Sequence, residues 1–64
     1  MPVVTINTWT MDKERKAKFI RKITNVFVEM GIPAEAVTVM INDLPKDNWG
    51  SGGEQHSLRF KDVK

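Results

Sequence analysis

Cysteine and tyrosine are absent from this 64-residue chain, and histidine occurs once, at His56. The lack of cysteine excludes disulfide staples and thiolate metal sites together. A solitary histidine points to a hydrogen-bonded or surface side chain rather than a ligand, so no metal site is expected. No apolar run approaches the roughly 18 residues that a spanning helix needs, and no charged-then-apolar leader is present. No membrane partner is therefore expected, and the default compartment is cytoplasmic. A dense basic block is also missing: Lys and Arg number 10 against 8 Asp and Glu, a net charge of +2. Lys13, Arg15, Lys16, Lys18, Arg21 and Lys22 are interrupted by Asp12 and Glu14 with no aromatics interleaved. That pattern suits a solvated helix face, not a nucleic-acid surface. Lys16 is the exception, since it falls within the apolar stripe and is expected to look into a cleft or an interface.

A chain this short is one domain, residues 1–64, and buries only roughly 60 % of the surface its unfolded form exposes. Small domains compensate with disulfides, a metal or self-association. With the first two set aside, self-association remains.

What is present reads as a simple alternation. VVTINTW, residues 3–9, is rich in β-branched and aromatic residues and alternates as a strand does. Both of its faces are partly apolar, as in a strand covered on both sides. Thr10 and Asp12 are helix N-cap types, and Phe19, Ile20, Ile23, Val26, Phe27 and Met30 recur at helical spacing. With Gly31 as a stop signal and Pro33 beyond it, a helix is predicted over 12–30. AVTVMIN, residues 36–42, is a second predicted strand. LPKDNWGSGGEQ is loop or hairpin chemistry, and the tail is predicted to add a short strand around Leu58 to Phe60. The fold class is therefore α/β: a single β-α-β unit with two parallel strands, a right-handed crossover and a C-terminal loop or short hairpin. One helix covers one face of such a sheet. The other face needs a partner subunit.

The glycines of WGSGGE do not make a nucleotide site. Gln55 stands where a dinucleotide fingerprint needs its third glycine, and no Lys-Ser/Thr pair follows. A turn requiring positive φ is the better reading. Trp9 and Trp49 plug core edges or subunit contacts, or else wall a pocket from which water is excluded. Pro2 is tolerated at the first position of a strand, but it also carries a chemical option. Once Met1 is trimmed, its ring nitrogen is a free secondary amine. Burial or a nearby cation lowers the pKa of such an amine toward neutrality, where a base suited to proton abstraction beside a carbonyl works best.

Taken together, Pro2 opening the Val/Ile/Thr strand, the single helix, the strand 37–42 and Trp49-Gly50-Ser51-Gly52-Gly53-Glu54 resemble the 4-oxalocrotonate tautomerase family, short-chain members of the tautomerase superfamily. The resemblance covers nearly the whole chain to about Phe60. It implies a β-α-β protomer assembled as a homohexamer, a trimer of dimers. It also implies a cofactor-independent isomerase in which Pro2 moves a proton within a small enol or oxo acid, a 2-hydroxydienoate or 2-oxo-enoate. Trp49 matches the aromatic residue that lines the family's site, and Trp9 the apolar residue at the end of the first strand.

Two positions depart from the family pattern. Arginines are expected just after the first strand and inside a V-R-V run, where this chain has Thr10-Met11-Asp12 and Val37-Thr38-Val39. Thr38 offers a neutral hydrogen bond in place of a charged one, with Lys16, Lys46 and Arg59 as alternative cations from a neighbouring subunit. The departures leave two other readings open. One is a different Pro2-dependent reaction on the same fold (hydration, dehalogenation or decarboxylation). The other is a non-catalytic assembly protein.

Overall fold

The computed structural model describes residues 1–63. Val3–Trp9 (β1) and Thr38–Leu44 (β2) form a parallel pair in continuous register from Val3 opposite Thr38 to Trp9 opposite Leu44. Between them runs the helix Lys13–Val28 (α1), which packs against β2. The β-α-β unit and its parallel strands are as the sequence predicts. Gly50–Ser51 (β3) and Glu54–Gln55 (β4) then form an antiparallel hairpin, followed by the single helical turn His56–Arg59 (α2).

Local chemistry explains each boundary. The Asp12 carboxylate accepts the Arg15 amide at 2.7 Å and so caps α1. The helix stops at Val28, short of Met30, because Gly31 takes a φ of +90°. The Ile32 amide then returns to the Phe27 carbonyl and the Gly31 amide to Val28, satisfying carbonyls that the helix end leaves open. β2 starts later than its β-branched run suggests. Pro33 initiates a tight turn over Ala34–Ala36, closed by the Ala36 amide on the Pro33 carbonyl and the Val37 amide on Ala34. The strand instead continues to Leu44, because β1 offers a partner as far as Trp9.

The predicted strand around Leu58 to Phe60 is absent. Leu58 and Arg59 lie within α2 and Phe60 caps it, its amide bonding the His56 carbonyl at 2.8 Å. The turn of helix carries Phe60 back onto the ring of Trp9.

Alternation splits the sheet into two faces. Val4, Ile6, Thr8, Val39, Ile41 and Asp43 are half-buried beneath the helix. Val3, Thr5, Asn7, Thr38, Met40 and Asn42 are exposed, with the Asn42 amide bonded across the strands to Asn7 at 3.1 Å. The helix stripe divides likewise. Ile23 and Phe27 are half-buried, whereas Phe19, Ile20, Val26 and Met30 are exposed.

No described residue is fully buried. The accessible surface is 5033 Å² for 7.3 kDa, against roughly 4,200 Å² for a compact protein of that mass. The radius of gyration of 14.7 Å likewise exceeds the roughly 11 Å of a compact chain this long. The protomer leaves apolar surface on both the sheet and the helix without cover of its own.

Candidate functional site

Polar and aromatic chemistry gathers at both ends of the sheet. At the end where the strands begin, the Thr38 amide donates to the Pro2 carbonyl at 3.0 Å. This bond extends the ladder one residue beyond β1 and fixes Pro2, which is half-buried. The proline nitrogen has no hydrogen to donate, so the ladder makes no demand on it.

The opposite end carries an aromatic cluster. Trp9 closes β1. Trp49 leads into the hairpin, and its indole donates to the Leu44 carbonyl at 3.1 Å, pinning the hairpin to the end of β2. The hairpin turn is Gly52-Gly53, both at positive φ (+61° and +81°). That is the two-residue turn whose twist matches paired strands. The His56 amide closes the ribbon on the Trp49 carbonyl at 2.9 Å. As a result the imidazole of His56 stacks on Trp49 at 5.8 Å between centroids, with the edges of Trp9 and Phe60 set against it. The Trp9 indole donates to His56 Nδ1 at 2.9 Å, and Ser51 Oγ lies 2.7 Å from Nε2.

Cations adjoin this cluster. The Lys46 ammonium sits 4.6 Å from the centre of the Trp9 ring and is held by the carbonyls of Phe60 and Val63. An open groove of about 610 Å³ runs past Trp9, Met11, Arg15, Lys46 and Lys61. Lys16 pairs with Asp43 at 2.5 Å. The Lys16 hydrogen bond holds the Asp43 carboxyl below the ordinary carboxylate range. Partial desolvation opposes this, and the Met11 amide adds a smaller contribution in the same direction. Arg59 reaches the Ser51 carbonyl at 3.3 Å and lies against Phe60. Among the described residues no group of three His, Cys, Asp or Glu side chains converges to hold a metal ion, and no helix is long and apolar enough to cross a membrane.

The four site residues expected from the sequence thus fall into two pairs. Pro2 adjoins Thr38, and Trp9 shares the His56 ring with Trp49. The pairs stand at opposite ends of a seven-residue strand, roughly 23 Å apart at strand rise. One protomer does not unite them. His56 was legible only as a hydrogen-bonded side chain. Its place at the centre of the aromatic cluster comes from contact with Trp9, 47 positions away in sequence, which no local pattern marks.

A family model described as tautomerase enzyme matches residues 2–59. The chain is 45 % identical over 42 residues to a 2-hydroxymuconate tautomerase of Comamonas testosteroni, an alignment covering 64 % of this chain and 67 % of that protein. Among solved structures, one of the 4-oxalocrotonate tautomerase isozymes from Methylibium petroleiphilum superposes with a TM-score of 0.74 at 39 % identity, over 84 % of this chain and 90 % of that one. TomN, a 4-oxalocrotonate tautomerase homologue of the tomaymycin biosynthetic pathway, superposes with a TM-score of 0.84 over 94 % and 95 % of the chains. At 24 % identity that likeness speaks to the fold alone.

Proposed function

The chain belongs to the tautomerase enzyme family, and on that premise we propose that it is a cytoplasmic, cofactor-independent isomerase using Pro2 as its acid/base group. Met1 is 95 % exposed, open to removal by an aminopeptidase, and its loss converts the Pro2 amide nitrogen into a secondary amine. That amine takes the proton from the 2-hydroxyl of a 2-hydroxydienoate. The resulting ammonium returns a proton to a carbon of the conjugated chain, leaving a 2-oxo-enoate and the amine in its starting state. Nothing is consumed, so the step calls for no co-reactant.

The single observation that carries this reading is that the family match takes in Pro2 together with the Trp49–Glu54 hairpin. The uncovered sheet and helix faces support the rest. On this proposal a second copy lies on the open face over Val3 and Met40, both exposed in the protomer, and the Trp9–Trp49 end of one subunit meets Pro2 of another. In this reading the tryptophans are the dry walls of the site, Thr38 is a neutral donor beside Pro2, and the assembly is a homohexamer.

The test is ketonisation of 2-hydroxymuconate and phenylenolpyruvate by the wild type and by Pro2→Ala. General acid–base catalysis contributes about 10²–10⁴-fold, and a loss of that order is expected. Equal rates would remove Pro2 from the mechanism.

One feature favours a second reading on the same fold. Thr10-Met11-Asp12 and Val37-Thr38-Val39 contain no arginine, so these segments supply no guanidinium to depress the pKa of the amine. A protonated Pro2 would act as an acid in hydration, dehalogenation or decarboxylation of an unsaturated or 3-oxo acid. Titrating the amine by 15N NMR separates the two: a value near neutrality supports the base, and one at the ordinary value for a secondary amine supports the acid.

A further inference from the structure

The Ser51–His56 contact looks at first like a nucleophile beside its base, and the third member of the chain excludes that. An indole N–H only donates, so His56 Nδ1, 2.9 Å from Trp9 Nε1, must accept. The neutral ring therefore carries its hydrogen on Nε2, which then donates to Ser51 Oγ across 2.7 Å. A base that would strip the serine needs the opposite tautomer. What results is a chain of donors running one way: Trp9 N–H to His56, His56 N–H to Ser51, and the Ser51 hydroxyl outward. Among the described residues that hydroxyl proton meets no acceptor, and Ser51 is exposed. Each bond in such a chain polarises the next. The aromatic packing on His56 from Trp49 and Phe60 fixes the ring plane, and with it the direction of the last donor.

We propose that Ser51 is a substrate-binding residue, donating a neutral hydrogen bond to the carboxylate of a monocarboxylated enol, and that His56 is the positioning residue that aims it. This rests on the reading above, in which the Trp9–Trp49 end forms the wall facing Pro2. A single neutral donor suits one carboxylate without the bidentate grip of a guanidinium, which favours monocarboxylates over dicarboxylates.

The experiment measures KM and kcat for phenylenolpyruvate, with the Trp9 indole proton followed by NMR. Hydrogen bonds to charged groups are worth enough that Ser51→Ala should raise KM about tenfold, with kcat nearly unchanged, and Ser51→Thr should restore KM. His56→Asn keeps an acceptor for Trp9 but loses the donor toward Ser51. It should raise KM about as much as Ser51→Ala while leaving the indole proton in place. His56→Gln places its amide near Nε2, so it should recover most of the KM effect while the indole proton moves. An unchanged KM in Ser51→Ala, in a protein that Pro2→Ala inactivates, overturns the assignment of Ser51 and leaves the tautomerase reading standing. Full activity in Pro2→Ala overturns that reading instead.

Discussion

The backbone amide of Thr38 holds the carbonyl of Pro2 at 3.0 Å, so the residue ahead of β1 is positioned by the residue that opens β2. Pro2 is thereby anchored through its carbonyl alone, and its nitrogen takes no part in the ladder. The nitrogen proposed as the catalytic amine is thus left unengaged by the sheet.

In the proposed mechanism, activity depends on the removal of Met1. A chain that keeps Met1 has an amide at Pro2, and an amide nitrogen is not a base. Preparations with graded Met1 retention should show turnover in proportion to the trimmed fraction in the intact mass spectrum. Full activity from a wholly untrimmed preparation would contradict the role given to Pro2.

Lys16 and Asp43 tie α1 to the end of β2, and their side chains are 35 % and 23 % exposed. Because Lys16 lowers the folded-state pKa of Asp43 from its reference value of 3.8, the stabilisation is fully present above that value. It is lost as pH falls through the folded value. Asp43→Asn should therefore lower the thermal midpoint at pH 7, and the gap to wild type should close in strong acid. A gap that stayed constant down to pH 2 would show that the pair is not its source.

The hairpin offers a matched comparison. Gly53 holds a φ of +81° with no atom within 4 Å of an added Cβ, so Gly53→Ala meets backbone strain and nothing else. A left-handed conformation costs a non-glycine residue about 1–2 kcal/mol. At Gly50 the added Cβ would lie 3.7 Å from the Glu54 carbonyl, an ordinary contact at an unstrained φ, so the change should stay within about 0.5 kcal/mol. Chemical denaturation of the two variants should rank them in that order, and equal losses would argue against the positive-φ turn.

Met40 lies on the open face of the sheet, 52 % exposed. A carboxylate there costs the isolated protomer little, since exposed substitutions usually change stability by less than about 0.5 kcal/mol. Met40→Asp would nevertheless place an unpaired charge in any interface formed on that face. Sedimentation should show wild type at a multiple of 7.3 kDa and Met40→Asp at or near the single-chain mass, with turnover lost. An assembled, active Met40→Asp would place the interface elsewhere.

Local patterns in the chain point to the strand 3–9, a helix capped at Thr10 or Asp12 and stopped at Gly31, the parallel pairing, and a positive-φ turn within WGSGGE; the structure places the cap at Asp12 and the turn at Gly52-Gly53. Each follows from side-chain period, capping chemistry or φ preference within a few residues. Pro2, Thr38, Trp9 and Trp49 were readable as candidates because they occupy telling places along these elements.

Tertiary structure decided what short-range preference leaves open. It shifted β2 to Thr38–Leu44, because a strand's ends are set by the partner it pairs with. It turned the tail into the helical turn His56–Arg59 and sent Phe60 back to Trp9. It also gathered Trp9, Ser51 and His56 into one donor chain. Those contacts join distant positions through the packing of aromatic rings and the direction of N–H bonds, and neither is encoded in the spacing of residues along a single element.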